Sequence, residues 1–130
     1  MKKTFTLILT LAGALIFMSA KADTPVSGTI STDSTWNLAG SPYVVTGTVI
    51  VNNGATLTID SGVVVTFESN QGMEIWGVLE AYKSTFTSAA ASPAKGDWTE
   101  IHIGSGSQTG TANFYGCRME YGGSSSTNDS

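Results

Sequence analysis

Val51-Asn52-Asn53-Gly54-Ala55-Thr56-Leu57-Thr58-Ile59-Asp60-Ser61-Gly62-Val63-Val64-Val65-Thr66-Phe67 is the stretch that decides how this chain is read. Leu57 and Ile59 share one parity, with Thr56, Thr58 and Asp60 on the other, and Val63, Val65 and Phe67 oppose Val64 and Thr66. Successive side chains of a strand point to opposite faces, so this alternation predicts two short strands, each with an apolar and a polar side. Asn52-Asn53-Gly54 and Asp60-Ser61-Gly62 are turn formers and bound them.

The same pattern extends in both directions. Val44-Val45, Thr48 to Val51, Met73 to Trp76, Val78 to Tyr82, Ser84 to Thr87, Glu100 to Ile103 and Phe114 to Tyr121 are rich in β-branched and aromatic residues. Ser41-Pro42, Gly47, Asn70-Gln71-Gly72, Gly96-Asp97 and the stretch from Gly104 to Gly110 separate them. Composition agrees: the 130 residues include 18 Thr, 16 Ser and 15 Gly, and only 12% are charged, which is poor material for helices. Ala89 to Ala94 is broken by Ser92 and Pro93, so no helix is expected there. The length fits one domain.

The segment from Met1 to Ala22 reads as an address. Lys2 and Lys3 precede an apolar run of 14, Phe5 to Met18, and Ala20-Lys21-Ala22 places small residues where a signal peptidase reads them. A membrane anchor would need about 20 apolar residues, and this run also carries Thr6 and Thr10. The expectation is a secretory signal over 1–22, a mature chain with no membrane span, and a location outside the cell or at its surface. Removal of that segment leaves Lys83, Lys95 and Arg118 against all ten acids, a net charge of −7 on 23–130. An acidic surface argues against nucleic acid as a partner, which would demand a basic stripe. Cys117 is the only cysteine, so no internal disulfide is available, and a small buried apolar residue within a strand is its expected role.

Short strands with two to six turn residues between them suit either an antiparallel sandwich or a stacked solenoid. An internal echo favours the second. Val49 to Leu57 is followed by Met73-Glu74-Ile75-Trp76-Gly77-Val78-Leu79, with Gly54 and Gly77 matching at an offset of 23, within the range of repeat architectures.

Trp36-Asn37-Leu38, Ser41-Pro42-Tyr43-Val44-Val45, the stretch from Val51 to Phe67, Thr85-Phe86-Thr87-Ser88, Gly96-Asp97-Trp98 and Tyr115 to Gly123 resemble the opening coils of secreted bacterial right-handed parallel β-helix proteins of the pectin-lyase-like group. The resemblance covers most of residues 26–123. It implies an all-β solenoid, a short N-terminal portion of about four to five coils. It divides the chain into the signal segment 1–22, a lead-in or cap at 23–41, coils over 42–123 and a flexible polar tail at 124–130. Relatives of this kind run for several hundred residues, which implies a fragmentary chain with an exposed last coil and a continuation or stacking partner there. The group includes polysaccharide lyases, glycoside hydrolases, adhesins and scaffolds, so the resemblance leaves activity open.

A lyase of this fold would need a calcium-binding cluster of carboxylates with an Arg or Lys base, and a hydrolase would need paired carboxylates across a cleft. Neither is evident in the sequence; no metal site and no cofactor are expected, calcium entering only under the lyase alternative. Glu68, Glu74, Glu80, Glu100 and Glu120 fall at polar-face positions of separate strands. The densest set is Glu100, His102, Arg118 and Glu120. An offset of 18 would lay Glu100 over Arg118 and His102 over Glu120, and an offset of 16 would set His102 against Arg118; a structural charge ladder is the expected outcome over a catalytic set. Trp76 and Tyr82 are the candidates for ligand binding, as stacking platforms for sugar rings, although packing serves aromatics equally. The functional expectation is a secreted or cell-surface structural or adhesive module without catalytic activity of its own, with a polysaccharide or cell-surface glycan as partner. The alternatives are the front of a polysaccharide lyase or glycoside hydrolase, and a carbohydrate-binding module.

Overall fold

A computed structural model describes residues 22–123. The expected signal segment, Ala22 excepted, and the expected tail at 124–130 lie outside the described residues. Eleven strands follow one another: β1 Thr24–Ile30, β2 Ser34–Trp36, β3 Tyr43–Val51, β4 Thr56–Ile59, β5 Val64–Phe67, β6 Met73–Ile75, β7 Val78–Tyr82, β8 Thr85–Ser88, β9 Ile101–Ile103, β10 Thr111–Tyr115 and β11 Arg118–Met119, with a 3-10 turn at Leu38–Gly40. Every strand pairing between them is parallel.

The expectation of a right-handed parallel β-helix solenoid of four to five coils is corrected here. The strands belong to two separate parallel sheets: seven strands ordered β11-β8-β5-β3-β6-β9 with β1 also on β3, and four ordered β10-β7-β4-β2. The reason lies in spacing. Leu57 lies against Leu79, 22 positions on, but Met73 lies against Ile101, 28 positions on, and Val78 against Thr111, 33 positions on. A constant repeat is therefore not kept. In addition, β3 runs unbroken through Thr46-Gly47-Thr48, its first part pairing with β5 and its last part with β6, so two ladders share one strand. The glycine echo is also out of register: Thr56 opposes Val78, which puts Gly77 over Ala55 rather than Gly54.

The alternation read from the sequence is what fills the interior. Val45, Phe67 and Phe86 of the seven-stranded sheet and Leu57, Ile59, Leu79 and Ala81 of the four-stranded sheet are fully buried in one cluster. Each large apolar side chain so buried contributes about 1.5–3 kcal/mol. Aromatic rings extend the cluster at its margins, where Trp36 stacks on Tyr43 at 4.9 Å and Phe67 on Trp98 at 4.2 Å. The Trp98 indole N–H donates to the Glu120 carbonyl at 2.8 Å, which ties the loop before β9 to the chain after β11.

Two local differences bear on the sites. Phe114 to Tyr121, expected as one strand, is divided by Gly116 at φ 66° into β10 and β11. Cys117 consequently lies between strands, half-buried, with its thiol donating to the Ala81 carbonyl at 3.3 Å and 3.4 Å from the Ser84 hydroxyl.

Candidate functional site

The outward side chains of the seven-stranded sheet form ranks because the strands are parallel and in register. Ile50, Glu74 and His102 make one such rank. Around it Thr48, Glu74, Thr99, Glu100, His102 and Ser105 line an open groove of about 290 Å³. The His102 Nδ1 stands 3.6 Å from the Glu100 Oε2, and both side chains are exposed. Two carboxylates, an imidazole and three hydroxyls give this groove the means to hold a polar ligand by hydrogen bonds.

Arg118 and Glu120 are elsewhere. Arg118 lies against Thr85, where β11 pairs with β8, whereas β9, which carries His102, pairs with β6. The Arg118 Nε donates to Glu120 Oε2 at 2.6 Å and the Thr87 hydroxyl donates to Glu120 Oε1 at 3.4 Å. The four residues singled out from the sequence thus divide into two local pairs, Glu100 with His102 and Arg118 with Glu120. Neither of the two expected alignments, at an offset of 18 or of 16, occurs. Among the described residues no three His, Cys, Asp or Glu side chains gather as a metal site.

Trp76 and Tyr82 are likewise separate. Trp76 is half-buried at the corner between β6 and β7, and its indole N–H is the only buried side-chain polar atom without a partner among the described residues. Tyr82 is six positions further along, at the far end of β7. There it stacks on Tyr115 with ring centroids 4.9 Å apart and planes within 8°, both rings being exposed. Its hydroxyl donates to Glu80 Oε1 at 3.2 Å, and the Asn113 amide donates to Glu80 Oε2 at 2.5 Å. The hydrogen bond from the phenol to the Glu80 carboxylate, with added desolvation and the Glu80 charge, raises the Tyr82 pKa above its ordinary 10.0. Tyr115 escaped the sequence reading as a site residue, although it fell within an expected strand. The signal was present in Glu80-Ala81-Tyr82-Lys83 and Asn113-Phe114-Tyr115-Gly116, which the strand register sets side by side, well beyond the spacing of the glycine echo.

Another cleft, about 530 Å³, is bounded by Glu68, Ser69, Ser88 and Asp97. Here Asp97 Oδ2 accepts from the Ser88 hydroxyl at 2.7 Å and from the Ala94 amide at 2.9 Å. These two bonds, the Ser88 one foremost, hold the Asp97 pKa below its ordinary 3.8. The carboxylate closes the turn before Trp98, a use the sequence suggested for Asp in turns. No protein-family model, curated protein or solved structure matches the chain.

Proposed function

We propose that this protein is an exported structural or adhesive module, a rigid all-β block that presents flat polar faces and performs no turnover of its own. The reading is carried by the division of Glu100, His102, Arg118 and Glu120 into two local pairs, beside β9 and beside β11, strands that do not pair with each other. Each pair satisfies itself locally, and the other carboxylates with close partners, Asp33, Glu80 and Asp97, are engaged in bonds of the fold. Exposed pairs of this kind give at most about 1 kcal/mol each, so they shape a surface more than they stabilise a core.

A second reading has its own observation. The exposed Tyr82 and Tyr115 rings, beside the Glu80 and Asn113 side chains, combine apolar ring surface with hydrogen-bonding groups in the manner of a sugar platform. One experiment separates the readings: the exported protein is incubated with acidic and neutral polysaccharides, with and without calcium, and both retention and product are recorded. Retention without product is the expected result, and loss of retention in Tyr82→Ala and Tyr115→Ala would select the glycan platform. Product formation would overturn the proposal and direct mutation to Glu74, Glu100 and His102.

A further inference from the structure

The turn Asn52-Asn53-Gly54-Ala55, between β3 and β4, sets an asparagine directly before a glycine in the open. Asn53 and Gly54 are both exposed, and a Cβ built on Gly54, whose φ is 90°, would meet no atom within 4 Å. Among the described residues nothing hydrogen-bonds to the Asn53 side chain or to the Gly54 amide.

The other described asparagines differ. The Asn37 Oδ1 accepts from the Gly40 amide at 3.2 Å, and the Asn113 side chain donates to Glu80 Oε2 at 2.5 Å. After Asn70 the next backbone amide is engaged, Gln71 donating to the Glu68 carbonyl at 3.0 Å. Asn52 is half-buried, and the residue after it carries a side chain that narrows the approach of its backbone nitrogen, a restriction glycine does not have.

The geometry points to Asn53 as a site of spontaneous deamidation in the folded protein, with water as the only co-reactant. The Gly54 nitrogen gives its proton to solvent base and attacks Asn53 Cγ. A C–N bond forms and closes a succinimide ring, the Cγ–Nδ2 bond breaks, and the departing nitrogen takes a proton from solvent and leaves as ammonia. Water then opens the ring. Attack at Cγ returns the normal main chain with an aspartate; attack at the Asn53 main-chain carbonyl gives isoaspartate, whose main chain runs through Cβ and Cγ. In sum an amide and water become a carboxylic acid and ammonia, and nothing is oxidised or reduced.

The two products have different consequences. The Ala55 amide closes the turn on the Asn52 carbonyl at 3.0 Å, the Ala55 carbonyl accepts from the Val78 amide at 2.9 Å, and both carbonyl oxygens stand where a Gly77 Cβ would be. Isoaspartate lengthens the main chain inside that closed turn and loosens the start of the β4–β7 ladder. Aspartate alters only an exposed side chain.

The test is incubation of the purified protein in mildly alkaline buffer, folded and, in parallel, unfolded in urea. Peptide mass spectrometry reads the gain of amide-to-acid exchange at each asparagine, and an isoaspartyl carboxyl-methyltransferase labels isoaspartate. A reaction that needed global unfolding would be slowed about a thousandfold or more in the folded protein. The exposed turn predicts instead a folded-state rate within about tenfold of that in urea, because it needs little or no opening. Asn53 is expected to convert ahead of Asn37, Asn52, Asn70 and Asn113, with gain and label lost in Asn53→Gln, whose longer side chain must close a larger ring. The aged, labelled protein should have a lower urea midpoint than fresh protein, while freshly made Asn53→Asp keeps the parent's midpoint. An Asn53 that stays an amide in the folded protein while converting in urea would overturn the inference, as would earlier conversion of another of these asparagines. An unchanged midpoint in labelled protein would overturn the effect on the turn.

Discussion

Gly77 marks a close approach of backbones that a single substitution can probe. A Cβ there would collide with the carbonyl oxygens of Asn52 and Ala55, which are fixed in the turn beneath it and cannot rotate away. Gly77→Ala is expected to cost about 1–3 kcal/mol, the usual penalty for forcing a methyl into filled space, read as a lower denaturant midpoint. An unchanged midpoint would mean that the turn yields and that the register at Ala55 is loose. Asp97 poses a different question. Its carboxyl is held below the ordinary aspartate range by Ser88 and Ala94, so the ionised form is favoured by folding. For a group with a lowered folded pKa, the contribution is complete above the unfolded value and disappears as pH falls towards the folded one. The advantage of the native protein over Asp97→Asn should therefore hold at about pH 6 and shrink below about pH 4. Urea midpoints of both proteins across that window check it; a constant difference would show that Asp97 acts only through its shape.

The strands show which parts of the chain speak through their own sequence. Thr56–Ile59 and Val78–Tyr82 coincide with segments that alternation and β-branched or aromatic content mark, because each buries one parity on the shared core. The longer β1 and the short β2 are hidden in a Pro, Gly, Ser and Thr run, and only pairing with β3 and β4 makes them strands. Pairing distance was the part that misled. The loops between β8 and β9 and between β9 and β10 lengthen the steps from Met73 to Ile101 and from Val78 to Thr111, which no local pattern announces. The candidate site inherits that error: Glu100 and Arg118 are near in sequence but belong to separate local pairs beside β9 and β11, which do not pair with each other, while Tyr82 and Tyr115 are far in sequence and in ring contact. The same loops have a measurable consequence. Ala89 to Lys95 is exposed throughout, whereas Lys83 donates its amide to Tyr115 and Arg118 donates its own to Ser84. Among the described residues, trypsin should cut the folded protein first after Lys95, since proteases take exposed loops in preference to paired strands. Mass spectrometry of the first fragments checks this, and initial cleavage at Lys83 or Arg118 would show that the β7–β8 turn or β11 opens more readily than the long loop.

At the scale of the whole molecule the two sheets raise the question of whether they form one unit or two. Their backbones are not hydrogen-bonded into a common sheet, and two layers with separate interiors would unfold separately. The interior is not separate. Leu79 and Ile59 from the four-stranded sheet share a cluster with Phe86, Phe67 and Ile75 from the seven-stranded one, and Trp36 of β2 stacks on Tyr43 of β3. A residue removed from either side leaves a void lined by both. Leu79→Ala and Phe86→Ala are each expected to cost about 2–5 kcal/mol. Each should lower a single transition seen identically by tryptophan fluorescence and by far-ultraviolet circular dichroism. Trp98 and Trp36 report from different sheet margins, so the comparison is informative. If Leu79→Ala moved the dichroism transition and left the fluorescence of a Trp36→Phe background, which reports Trp76 and Trp98, in place, the four-stranded sheet would be melting independently. The shared cluster makes that partition costly, because a detached sheet would expose Leu57, Ile59 and Leu79 together, and it is this cost that binds eleven short strands into one cooperative body.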